Sequence, residues 1–95
     1  MLILGIDWDE TNREKLDLHD LDPDDVEFLF DEGDPVFLEH PRSAERYIAL
    51  GFVPDERFAL VVFQYDKETR WVRVVTAYET TSETWWKRYA KTKGI

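Results

Sequence analysis

Cysteine is absent from this 95-residue chain, which excludes both a disulfide framework and thiolate chemistry. Serine is almost as scarce. Ser43 and Ser82 are the only two, and neither stands in a Gly-x-Ser-x-Gly turn, so a serine nucleophile of the hydrolase type is not expected. The four glycines are dispersed and form no phosphate-cradling loop. With two histidines, His19 and His40, and no thiols, a zinc site would have to recruit carboxylates. The acidic run Asp20–Asp25 has no central glycine and contains Pro23, so it reads as a helix start rather than a calcium loop. Neither a metal nor another cofactor is expected. No apolar stretch approaches the roughly 20 residues that cross a bilayer. The opening MLILGI is too short for the apolar part of a signal peptide and lacks its basic flank and cleavage site. The expectation is a cytoplasmic protein that does not engage a membrane.

Aromatic residues are plentiful at 15%, with four Trp, six Phe and four Tyr, and must supply much of a thin core. With 43% hydrophobic and 35% charged residues the chain reads as a single globular domain over 1–95. Its formal charge of −9 is unevenly spread. Residues 1–40 carry fourteen acids against two bases, a net of −12, and residues 41–95 carry seven acids against ten bases, a net of +3. Two surfaces with different partners would produce that asymmetry, and so would acids that only solvate helices.

Leu2, Ile3, Leu4, Ile6 and Trp8 suggest a first strand. Thr11–Glu14 has the spacing of a capping box and opens a short helix ending near His19–Asp20. Asp22-Pro23 starts a second helix, in which Val26, Leu29 and Phe30 form a core-facing stripe. Gly33 is expected to cap it and Pro35 to prevent its resumption. Val36–Leu38 can form a short strand. Three longer runs follow, ERYIALGF, RFALVVFQY and TRWVRVVTAY, joined by turns short enough to require antiparallel neighbours. In the first run Arg46, Ile48, Leu50 and Phe52 share one face. Thr80–Glu83 has capping-box spacing and opens a final helix that Gly94 stops.

Each of the three long runs has arginine at or near its start, which gathers cations where an anionic substrate can be held. Arg73 sits mid-strand among apolar residues, where a charge needs either an ion-pair partner such as Glu45 or a functional site. Lys15 and His19 are four residues apart, hence on one helix face, and His19 can carry a proton near neutral pH or merely cap the helix end. Glu45 is a candidate base. Arg, Lys, His, Glu and Tyr together can activate a 2′-hydroxyl, neutralise a phosphate and protonate a leaving oxygen.

The succession WDETNREKLDLHDLDPDDVEFLF, AERYIALGF, RFALVVFQY, VRVVTAY and a final Glu-to-Tyr helix resembles the BrnT-like family, from about Ile6 to Tyr89. These are small toxins of bacterial type II toxin–antitoxin systems. The resemblance implies an α+β domain of RelE/ParE-like fold: an antiparallel sheet made of the three-strand C-terminal meander plus the N-terminal strand, packed by two N-terminal helices and one C-terminal helix. It further implies a metal-independent ribonuclease that inhibits translation, and a cognate antitoxin of the ribbon–helix–helix type. His19, Arg46 and Arg73 match family positions, while Asp20 stands where the family commonly has glycine and Tyr78 where it has arginine. Lys15, Glu45 and Tyr78 complete the candidate catalytic set. The alternative reading is a non-catalytic relative retained for binding another protein.

Overall fold

The computed structural model describes residues 1–8 and 20–95. Within them lie strand β1 (Gly5–Asp7), helix α1 (Pro23–Asp31), strands β2 (Val36–Glu39), β3 (Arg46–Val53), β4 (Arg57–Tyr65) and β5 (Trp71–Glu79), and helix α2 (Glu83–Lys93). The first helix expected from the sequence, with its Thr11–Glu14 cap, falls outside the described residues.

The strands form one sheet in the order β1-β5-β4-β3-β2. Pairing is antiparallel from β2 through β5 but parallel between β1 and β5. The fold is therefore α+β with a mixed five-stranded sheet. This corrects the expected antiparallel sheet of meander plus N-terminal strand, and the described residues hold two helices rather than three. The physical reason is plain. Tight turns force antiparallel neighbours, but only on the strands they join. No turn connects β1 to β5, so short-range signals leave the direction of β1 open, and they do not foretell that Val36–Glu39 pairs along β3.

α1 begins as its sequence dictates. The Asp22 carboxylate accepts from the Asp25 N–H at 2.9 Å, and the Asp25 carboxylate accepts from the Asp22 N–H at 3.2 Å, so each satisfies a backbone donor that the helix itself leaves orphaned. Pro23 occupies the first turn, where its missing N–H costs nothing. At the other end the cap is Glu32, not Gly33 as expected. Gly33 serves a different need. A Cβ there would lie 2.2 Å from the Phe52 carbonyl oxygen, because the chain leaving α1 runs directly against β3. The Gly33 carbonyl accepts from the Phe52 N–H at 2.9 Å.

α2 starts at Ser82, whose hydroxyl accepts from the Trp85 N–H, rather than at Thr80. Thr80 accepts one step earlier, from the Ser82 N–H at 3.1 Å. Gly94 ends the helix with φ 79°, the left-handed conformation that glycine adopts without a Cβ penalty.

The two helices lie on opposite faces of the sheet. Val26 and Leu29 of α1 join Ala49, Val53, Val61, Phe63, Val72 and Val74 in one buried cluster. Tyr89 of α2 joins Val36, Ile48, Leu50, Leu60 and Val62 in another. Strand alternation separates the two sets. Phe63 anchors the α1 side, with the rings of Phe30, Phe37 and Tyr47 centred 5.4–6.1 Å away. On the α2 side Phe52, Phe58, Trp86 and Tyr89 form an aromatic group with centroids 5.3–6.2 Å apart.

One irregularity decides which side chains face which way. Val62 pairs with Thr76, but Phe63 pairs with Val74, so Val75 is an extra residue on β5. Such a bulge resets the alternation. Ala77, Val74 and Val72 all reach the α1 cluster, and Arg73 is turned to the α2 face. No described helix is long and apolar enough to cross a membrane.

Asp34 ties α2 to the chain between α1 and β2. The Tyr89 hydroxyl donates to the Asp34 carbonyl at 2.8 Å, and the Lys93 ammonium binds the Asp34 carboxylate. Burial raises the Tyr89 phenol above its ordinary value, and the hydrogen bond to Asp34 raises the Lys93 ammonium. Both groups therefore hold their protons more tightly folded than unfolded. The resulting stabilisation is complete below the ordinary values near 10 and is lost as pH rises through the folded ones. The thermal midpoint is expected to fall above about pH 10, and to fall less steeply in Tyr89→Phe/Lys93→Met, as a scanning-calorimetry pH series would show. Gly33→Ala is expected to lose about 2–3 kcal/mol in urea unfolding, through the clash with β3.

Candidate functional site

The sheet register brings Arg46 and Arg73 together. Arg46 on β3 lies opposite Gln64 on β4, and Gln64 lies opposite Arg73 on β5. Directly opposed residues share a face, so the two arginines flank one glutamine on the α2 side of the sheet. With strands about 4.8 Å apart, their backbones are about 10 Å apart, within reach of a common anion for two long side chains. The row continues at both ends. Asp7 on β1 lies opposite Arg73. At the other end the His40 N–H donates to the Arg46 carbonyl at 3.1 Å, placing His40 beside Arg46 just past β2. The His40 Nδ1 accepts from the Arg42 N–H at 3.1 Å, so in the neutral ring Nε2 carries the proton. The row thus reads Asp7, Arg73, Gln64, Arg46, His40. Arg73 and Gln64 are exposed and Arg46 is half-buried.

The apolar part of this face is covered by α2, and the polar row lies beyond that cover. α2 itself displays Lys87, Arg88, Lys91 and Lys93, whereas α1 on the opposite face displays Asp24, Asp25, Glu27 and Asp31. Among the described residues the two helices thus differ in charge, with the cationic one on the side of the row. Arg57, which opens β4, belongs to the other side. Its guanidinium lies 3.6 Å from Asp25 and 3.9 Å from Glu79 and donates to the Pro54 carbonyl, so it fastens α1 to the β3–β4 turn.

The remaining candidates are placed as follows. Glu45 immediately precedes Arg46, is exposed, and edges the row in a shallow depression with Tyr47, Gln64 and Lys67. Tyr78 lies opposite Leu60 and packs against the α2-side cluster. It is five residues from Arg73 along β5, about 16 Å, so the structure does not bring it to the row. His19 and Lys15 lie outside the described residues. Among those described, no three His, Cys, Asp or Glu side chains group so as to hold a metal ion.

Sequence reasoning missed Gln64 and His40 as members of the row. Gln64 is the only polar residue between Arg57 and Tyr65, an interruption of an otherwise apolar strand. That interruption was the available signal, but only the bulge shows what lies beside it. No known family model and no curated protein matches the chain.

Two guanidiniums and an amide on one exposed row can bind an oxyanion through several charge-assisted hydrogen bonds. Pyrophosphate is expected to raise the thermal midpoint of the protein by a few degrees at millimolar concentration. Arg46→Ala and Arg73→Ala should each abolish that increment, as differential scanning fluorimetry would record.

Proposed function

We propose that this chain is a metal-independent endoribonuclease, acting as the toxin of a BrnT-like type II toxin–antitoxin pair in the cytoplasm. The observation that supports it is the juxtaposition of Arg46 and Arg73 across Gln64 on the cationic face. Cleavage of RNA at a 2′-hydroxyl builds negative charge on the phosphate, and preorganised guanidiniums stabilise that charge more in the transition state than in the ground state. Arg46 and Arg73 hold the scissile phosphate, and the Gln64 amide donates to a non-bridging oxygen. Proton transfer falls to His19, the histidine assigned by resemblance, with Glu45 and Lys15 as the further ionisable candidates. Tyr78 has no part in this arrangement, since it packs against the apolar cluster about 16 Å along β5 from Arg73. The expected antitoxin is a small ribbon–helix–helix protein that would cover the cationic face and so block the substrate.

The test is cleavage of a mixed-sequence RNA by purified wild type, Arg46→Ala and Arg73→Ala in buffer containing EDTA. Loss of one oxyanion contact should lower the rate about 100- to 1000-fold in each variant with the fold intact. Wild type without cleavage, or variants as active as wild type, would sink the reading. A second reading, a binding module without catalysis, is favoured by Tyr78, which stands where the resembled family has arginine, and by the net charge of −9. It predicts a stable complex with another protein and no RNA cleavage.

A further inference from the structure

At the β1 end of the row, Asp7, Gln64, Asp66, Thr69, Trp71 and Arg73 line an open groove of about 680 Å³. Trp71 is 47% exposed, an unusual state for the side chain that gains most from burial. Its position is nonetheless defined. The ring lies over the backbone of Gly5, so that a Cβ on that residue would meet three ring carbons at 2.9–3.0 Å. One side of the indole is thereby held by β1. Trp71 is two residues from Arg73 on the same strand face, a spacing of about 7 Å, comparable to that between a nucleobase and its phosphate.

The groove's other polar groups suit a base better than a phosphate. The Asp66 carboxylate is engaged by the Glu68 and Thr69 N–H groups at 2.8 and 3.2 Å, which hold it below the ordinary carboxylate range. Asp7 and Gln64 offer acceptors to an exocyclic amino group, and two carboxylates would repel an anion. Phosphate is thereby directed along the row to Arg46 and Arg73, and the flat, uncharged part of a nucleotide to the indole.

We propose that this groove is a nucleobase subsite, in which an amino-bearing base of single-stranded RNA stacks on Trp71 while the adjoining phosphate lies on Arg73 and Arg46. The proposal rests on the ribonuclease reading above. Aromatic stacking of this kind is a general device of proteins that hold single strands, since every base presents a π-face. It positions the nucleotide beside the scissile phosphate, so Trp71 acts as a positioning residue.

The test is fluorescence anisotropy with an uncleavable 2′-O-methyl octa-adenylate and with the same backbone lacking its bases. Wild type should bind the adenylate roughly ten- to a hundredfold more tightly than the abasic strand. Trp71→Leu, which keeps apolar cover over Gly5 but has no π-face, should lose that preference, and Trp71→Phe should retain most of it. Gly5→Ala, which displaces the indole, should behave like Trp71→Leu. Equal affinity of wild type for the two strands, or an unchanged preference in Trp71→Leu, would overturn the subsite. If, in that case, Arg46→Ala still lost RNA cleavage, the ribonuclease reading would stand without it. No RNA binding by wild type at all would overturn both.

Discussion

One extra residue in β5 governs what this sheet can present to solvent. A strand sends successive side chains to opposite faces, so two apolar clusters and a polar row must all be served by a period of two. Continued without interruption from Ala77, that period would place Arg73 under α1, inside the cluster built around Phe63, where burying a guanidinium is costly. Val75 breaks the count. Beyond it Val74 and Val72 return to the core, and Arg73 emerges beside Gln64. The core and the candidate site depend on the same irregularity: the insertion that lets the apolar residues pack is the one that aligns the arginines.

α2 supplies the second constraint. It covers the apolar half of its face, through Tyr89 and the aromatic group with Phe52 and Phe58, toward the end of the sheet away from Arg46 and Arg73. Its C-terminal end is secured at Asp34, by a phenol and an ammonium that reach the same residue through different atoms. The close approach at Gly33 allows this attachment, because the chain from α1 to β2 must run tightly along β3 for Asp34 to stand where α2 ends.

Much of the local structure was legible in the sequence, for reasons that are themselves local. Asp22-Pro23 and Gly94 act through adjacent backbone groups, and the alternation of Arg46, Ile48, Leu50 and Phe52 needs only the pleat. What was not legible is relational. The direction of β1 depends on a strand some 65 residues distant, and the role of Gly33 on the proximity of Phe52. The placement of Gln64 and His40 beside the arginines depends on register, and register on a bulge that no short window reveals. The separation of Tyr78 from Arg73, by contrast, follows from the rise along a single strand. Glu45 and Arg46, adjacent in sequence, stand together at the edge of the row because no long-range step intervenes.

The contrast in charge between the two helices has a consequence for encounter kinetics. Seen from afar, a polyanion meets a body of net charge −9 and is repelled; within about one Debye length of the correct face it meets Arg46, Arg73 and the lysines of α2. Added salt weakens the distant repulsion before it weakens contact at the row. Association with a polyanion should therefore speed up at first as ionic strength rises and slow only at higher salt, the reverse of the monotonic decline shown by uniformly basic proteins. A molecule that binds a polyanion as proposed would discriminate by orientation, admitting the chain on the side of the row.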